Sequence, residues 1–474
     1  MKLKKVYKLM LMGIASSLAF TSCGVMNKYK TPKVDTENLY RDNTSTDSTT
    51  IADIAWKDYF SDTILQGYIS EALTNNYDML IASERIKQAE AQLGQARAAY
   101  LPSVALTGEV EQTRLSNADP LTGTPMPKNT LAYHTESYSL GIAASWELDL
   151  WGKMNRQSKA KYASMLSSYA GRNLVQTNLI ASIASSYYSL LALDQQLQVT
   201  KEMIVLMEGS LETTLALQEA GMANGAAVEQ TRATLNSTKA TVPDLESSIR
   251  QTENAICTML GRVPSHLVRS SLNEQHVATQ LTLGVPAQML ARRPDVQQAE
   301  LSFRSAFELT NAAQASFYPS ITLSSGIIGY SITNGLGNFF KAENLFSNIV
   351  AGLTQPIFAK KQLITQYKVA KADQQAALLT FRKTVLSAGQ EVSDILYTYE
   401  SSLKKNEIRN VQVEAEKKSV DYTKDLMQAG EANYLEVISA QQGLLNSQLS
   451  QINDKLQQLQ ASSNLYRALG GGVK

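Results

Sequence analysis

The chain has 474 residues, 44% of them hydrophobic, with 44 Lys and Arg against 43 Asp and Glu, three His and two Cys. Removing a leader that carries Lys2, Lys4, Lys5 and Lys8 turns the formal charge of +1 into about −3, which leaves nucleic acid without an electrostatic hold. Beyond that leader no apolar run reaches about 18 residues, so no membrane-spanning helix is available and any membrane role falls to strands or to an anchor.

Residues 1–22 read as a lipoprotein signal peptide, because the basic start is followed by an apolar stretch, Leu9 to Phe20, that is too short to cross a bilayer. The stretch ends in Phe20-Thr21-Ser22-Cys23-Gly24. Small residues directly before a cysteine resemble a bacterial lipobox, in which the cysteine takes a diacylglycerol and becomes the new N-terminus. Lipidation is therefore expected at Cys23, with ordinary cleavage nearby as the alternative. Gly24 at the next position, in place of Asp, resembles the address of the Gram-negative outer membrane. Cys257 is then left without a disulfide partner and reads as a small core residue. Residues 23–55, with the polar run Asp42 to Thr50, read as an extended lipidated tether.

A first repeat is expected over 56–285. After short helices come two strands near 103–112 and 137–150. Val104, Leu106 and Val110 share one parity in the first, and Tyr138, Leu140, Ile142, Ala144, Trp146 and Leu148 in the second, with Ser and Glu on the other parity. A soluble sandwich alternates too; the long polar loop 113–133 favours a membrane barrel. A helix free of proline is expected over 152–219, followed by a turn at Ala220-Gly221-Met222-Ala223-Asn224-Gly225 and a return helix 226–260 in which Pro243 would make a kink.

A second repeat over 286–472 follows the same plan: a helix 293–316, strands near 320–331 and 348–357, a helix 359–428 and a return helix 432–469. Its strands offer Ile321, Leu323, Ile327, Ile349, Ala351 and Leu353. Tyr100, Leu150, Gly221 and Gly261 recur as Phe317, Ile357, Gly430 and Gly470, at offsets of 217, 207, 209 and 209 residues. The apolar stripe Leu363, Tyr367, Ala370, Gln374, Ala377, Phe381, Val385, Ala388, Val392, Ile395, Tyr399, Leu403 recurs about every 3.6 residues, as in a straight helix. Four strands cannot close a membrane barrel; two chains would give a filled eight-stranded one, and a conduit needs at least three chains.

The residues Trp56, Phe60, Asp62, Leu65, Ala72-Leu73, Asn76 and Pro102 belong to a wider pattern. It continues through Trp146-Glu147-Leu148-Asp149-Leu150-Trp151-Gly152-Lys153, Leu290-Ala291-Arg292-Arg293-Pro294-Asp295-Val296, Phe317-Tyr318-Pro319-Ser320 and Leu465-Tyr466-Arg467-Ala468-Leu469-Gly470. Over residues 56–472 the chain resembles the TolC-like outer-membrane efflux proteins, in the lipidated NodT-type branch that serves resistance-nodulation-division pumps.

The resemblance implies a mixed α/β membrane protein, an internally duplicated protomer with four β-strands entering a trimeric 12-stranded transmembrane β-barrel and long α-helices forming a periplasmic α-helical barrel. It implies a homotrimer in outer-membrane lipid, a periplasmic membrane-fusion adaptor and an inner-membrane resistance-nodulation-division transporter as partners, and no cofactor. The helical tips at Gly221, Asn224, Gly430 and Asn433 would meet the adaptor. The family's acidic gate segment matches Leu435-Glu436-Val437-Ile438-Ser439-Ala440, so Glu436 keeps an acid and Ser439 replaces a second one. A Tyr–Arg lock found in some members falls on Met427 and Ala432 and does not carry over.

Three histidines without an HExxH, GxSxG or P-loop pattern give no enzyme constellation and no metal site. Two other readings stay open: a non-conducting structural periplasmic lipoprotein, which explains the helices and Cys23 but not the strands, and the outer channel of a type I protein-secretion system.

Overall fold

The computed structural model describes residues 27–33, 39, 50–113, 135–276, 291–333 and 335–473. The signal peptide, Cys23, most of the 23–55 tether and nearly all of the 113–133 loop lie outside them. The chain divides into two compact units, neither of which is a sequence repeat. One takes Gln88–Leu166 and Leu301–Leu379 with the stretch before Lys33; the other takes Lys33–Lys87, Ser167–Glu300 and Thr380–Lys474.

The helices are α1 (Thr63–Asn75), α2 (Tyr77–Ala98), α3 (Lys153–Glu219), α4 (Gly225–Met259), α5 (Pro294–Ala315), α6 (Gln362–Gln428) and α7 (Tyr434–Ala468). At 67 residues each, α3 and α6 run about 100 Å at roughly 1.5 Å per residue. Pro243 sits inside α4 without ending it. The strands are β1 (Ser103–Thr113), β2 (Thr135–Leu148), β3 (Ser320–Thr333), β4 (Leu345–Phe346) and β5 (Ile349–Thr354).

In the first unit the sheet is antiparallel, in the order β1-β2-β3, with both β4 and β5 on the far side of β3. The fourth strand is thus broken and shorter than the 348–357 expected. Pro356 offers no N–H to continue it, and Lys360 and Lys361 take φ of 49° and 64° before α6 begins. β2 stops at Leu148, not 150, because the carboxylate of Asp149 caps α3: its oxygens accept from Met154 N (3.0 Å) and Asn155 N (2.8 Å).

The register corrects one residue. A bulge falls between Ala143 and Ala144, opposite Ile327 and Ser325, and leaves Gly326 as the extra residue. Gly326 N donates to Asn348 O at 2.9 Å, and Ala144 N to Ser325 Oγ at 2.8 Å. Parity inverts there, so Ile328 pairs with Ile142 on the apolar face while Ile327 pairs with Ala143 on the other.

Within the same unit, Tyr29 packs edge-on against Phe307 (5.6 Å), tilted against Phe303 (5.9 Å), with the Arg304 guanidinium over its ring at 5.4 Å. Asn311 Nδ2 donates to Asn27 O at 3.2 Å. Asn27 and Tyr29, within the expected tether, are therefore docked along α5. An aromatic ring that finds two others and a cation exchanges water for contact and stays.

In the second unit α1, α4, α7 and the adjoining parts of α3 and α6 share a core centred on Leu65, Ile69, Ile183, Tyr187, Ile256 and Leu465. Cys257 lies fully buried in it, its Sγ 3.5 Å from Ser265 O. Leu39 packs over Gly389 beside Val296, Phe381 and Val385. The α6 stripe faces inward from Phe381 to Tyr399, with Ile395 half-buried, but Leu403 is 39% exposed and Ser402 takes its place. From there the inward residues are Ser402, Asn406, Arg409, Val413, Glu416, Val420, Thr423 and Met427, a step of about 3.5 residues. This is the heptad of a left-handed coiled coil, matched on α3 by Thr200, Met203, Met207, Ser210, Thr214 and Leu217. The same alternation of four- and three-residue steps already holds from Phe381 to Tyr399, so the period of about 3.6 expected over Leu363 to Leu403 gives way to the heptad from Phe381 onward.

Candidate functional site

The sheet has two chemically different faces. Val104, Leu106, Leu140, Ile142, Leu323 and Leu353 share one, and most of these side chains are more than half exposed in the isolated chain. Thr107, Glu109, Ser139, Ser145, Thr322 and Ser324 share the other. Both outer edges, that of β1 and that of β4 and β5, have no strand partner among the described residues.

The two hairpins end alike. Ser103 Oγ donates to Ser145 O (3.1 Å) and Ser320 Oγ to Thr354 O (3.3 Å). The next residues, Trp146 and Gln355, donate from Nε1 and Nε2 to the carbonyls of Tyr100 (2.8 Å) and Phe317 (3.2 Å). Trp151 is stacked on Tyr318 at 5.0 Å and donates to Pro319 O at 2.7 Å.

The four helix ends in the second unit repeat a single geometry. Gly221, Gly261, Gly430 and Gly470 have φ of 72°, 75°, 78° and 89°. Each glycine N–H bonds the carbonyl three residues back, and the following N–H reaches five back, as Gly221 to Gln218 and Met222 to Leu217 do. The returning helices start from asparagines. Asn224 accepts from Ala227 N at 2.9 Å, and Asn433 from Leu435 N and Glu436 N at 2.9 and 3.2 Å. Gln441 near the start of α7 donates to Ser210 near the end of α3 at 2.8 Å, so both tips lie at one end of the unit.

Glu436 is exposed in the first turn of α7, and its carboxylate accepts from Asn433 Nδ2 at 3.0 Å. Ser439 is exposed three residues on. One chain alone does not gather acids into a ring; it gives Glu436 a capping partner that the sequence pattern had not revealed. Met427 is buried against the helices and not placed as a lock residue.

The segment around Arg293 turns out to be a clamp. Arg293 is 7% exposed and donates to Asp295 (2.7 Å), to Glu391 on α6 (2.7 Å) and to Ala468 O at the end of α7 (2.8 Å). Arg467 pairs with the same Glu391 and donates to Asn178 at 3.1 Å, while Arg292 reaches Asp53 at 2.8 Å. Burial alone would lower the Arg293 pKa, but Asp295 and Glu391 outweigh it and hold the guanidinium charged. Asp62, before α1, is another hub: it accepts from Tyr187 Oη (2.9 Å), Gln275 Nε2 (2.8 Å) and Ile64 N (2.8 Å). Desolvation pushes its pKa up, and the hydrogen bonds from Ser270, Gln275 and Tyr187 bring it below the ordinary value; burial raises that of Tyr187 to about 12.

Among the described residues no group of three or more His, Cys, Asp or Glu side chains is placed to hold a metal ion. An amphipathic sheet with open edges and a helical unit of paired antiparallel coils define a membrane channel component. Residues 68–262 and 285–471 match the Outer membrane efflux protein family, and the chain belongs to it.

Full-length relatives agree. The chain is 28% identical to the probable efflux pump outer membrane protein TtgC of Pseudomonas putida, covering 96% of this chain and 95% of that one. It is 26% identical to the cation efflux system protein CusC of Escherichia coli K12 (96% and 98% covered) and 25% identical to the probable outer membrane lipoprotein SilC of Salmonella typhimurium (98% and 99% covered). Among solved structures, the open state of the Neisseria gonorrhoeae MtrE outer membrane channel superposes with a TM-score of 0.83 at 26% identity, covering 95% of this chain and 99% of that one. The protein is an outer-membrane channel component of an efflux pump, in a family of conduits and not of enzymes.

Proposed function

We propose that three copies join edge to edge into a 12-stranded barrel and form the outer duct of a tripartite pump, a passive path for small molecules from periplasm to exterior. One observation carries this: a sheet four strands wide, apolar on one face and polar on the other, with both edges unpaired. Such edges cannot rest in lipid, because their N–H and C=O groups would find no partner there. Eight strands leave an interior that side chains fill, whereas 12 leave a lumen.

Cargo selection and energy come from an inner-membrane transporter of the resistance-nodulation-division type. An adaptor contacts the tips at Gly221, Asn224, Gly430 and Asn433. Whole-length similarity to relatives named for toluene, antibiotics and cations supports a wall that does not choose the cargo. Cys23 carries the lipid, which the intact mass of the purified chain checks directly.

Threefold symmetry would bring three Glu436 carboxylates around the axis, repelling one another and attracting hydrated cations. In planar bilayers the protein is expected to conduct with a preference for cations, and Glu436→Gln to reduce both that preference and block by divalent ions. Equal selectivity and block in the two would leave Glu436 a helix cap only. A reconstituted protein that never conducts, at any voltage and without divalent ions, would contradict the duct.

A further inference from the structure

The turn joining β3 to β4 lies at the end of the sheet opposite α5 and α6, yet it is rich in large apolar side chains. Leu336, Phe340 and Leu345 are 61%, 69% and 59% exposed. A turn facing water would ordinarily be polar, as the 113–133 connection is in sequence. Nor is it slack. Phe339 N bonds Leu336 O (3.2 Å), Lys341 N bonds Asn338 O (3.0 Å), and Asn344 Nδ2 bonds Asn338 O (2.8 Å).

Its direction is fixed by aromatic contacts. Phe340 meets the Tyr330 ring edge-on at 5.4 Å, Phe339 meets it at 6.1 Å, and the two Phe rings meet at 5.0 Å. Tyr330 pairs with Leu140 and Leu345, so it stands on the apolar face of the sheet. The turn is therefore folded down over that face and does not lean over the polar one.

We propose that the β3–β4 turn is a lipid-contact element, with Phe340 and Leu336 seated among the acyl chains of the outer leaflet and Lys341 beside them at the level of the lipid phosphates. This rests on the outer-membrane reading of the sheet. Continuity argues for lipid as the occupant: the exposed side chains extend the same apolar band as Leu140 and Ile142, which an outer-membrane barrel turns to lipid. The turn's internal hydrogen bonds suit a solvent that offers none. A cation next to exposed rings matches the boundary between acyl chains and phosphate.

The test is a nitroxide label on single cysteines introduced by Phe340→Cys, Ile142→Cys and Ser139→Cys, each with Cys257→Ala, in the full chain reconstituted in outer-membrane lipid vesicles. Collision with oxygen, which concentrates in lipid, is compared with collision with a water-soluble nickel chelate. The label at 340 is expected to resemble that at 142, with oxygen favoured several-fold over the chelate, while 139 shows the reverse. Chelate access at 340 with lipid-like behaviour at 142 would overturn the proposal and leave the barrel standing. Protection of 340 from both reagents would overturn it in favour of contact with a second copy. Chelate access at 142 as well would mean that the barrel reading itself has failed.

Discussion

Arg293 and Asp62 are named by the sequence pattern, but their work is visible only in the fold. Arg293 ties the start of α5 to α6 and to the last turn of α7, through partners 98 and 175 residues away in the chain. No local rule foretells such partners. Removing the guanidinium would leave half-buried Asp295 without its cation and Glu391 with Arg467 alone, and breaking a buried pair costs up to about 3–5 kcal/mol. Arg293→Ala is accordingly expected to lower the thermal midpoint sharply, with Arg293→Lys in between, since an ammonium cannot reproduce the forked contacts; thermal melts in detergent check this. Asp62 gives a pH signature. Its folded pKa lies below the unfolded value near 3.8, so its contribution to stability is complete above that value and is lost as pH falls through the lowered folded pKa. Melts below about pH 4 should therefore show a steeper loss in wild type than in Asp62→Asn. Equal slopes would mean that the hydrogen bonds to Asp62 contribute nothing through its charge.

Helices, turns and most of the strand alternation were legible, because period and glycine placement are local properties. Three features were not. The bulge at Gly326 inverts parity, and an extra residue shows itself only against the partner strand. The heptad that runs from Phe381 to Met427 reflects packing against other helices, and it turns Leu403 outward and Ser402 inward. Tyr29 finds its ring partners 274 and 278 residues downstream, where no sequence window reaches. The duplicated joints are also uneven: α3 is entered through Gly152 at φ 75°, but α6 through Lys360 and Lys361 at 49° and 64°. A non-glycine residue in that region costs about 1–2 kcal/mol, partly offset by the roughly 0.5–1 kcal/mol that glycine loses in backbone freedom. Lys361→Gly is therefore expected to stabilise the chain by about 0.5–1 kcal/mol. Unchanged or lowered stability in denaturant titrations would show that the Lys361 side chain contributes more than its strained backbone costs.

At the scale of the whole molecule, family membership accounts for the sheet, the paired coils and the outer-membrane location, while the proposed trimer rests on the sheet's open edges. Four strands of one protomer expose backbone on both sides, and only association hides it in lipid. Native mass spectrometry of the detergent-extracted, full-length mature protein tests this most directly. Three chains per particle, persisting through dilution and dissociating only with loss of strand signal, are the predicted result. A stable monomer that keeps its strand content would contradict the trimeric channel.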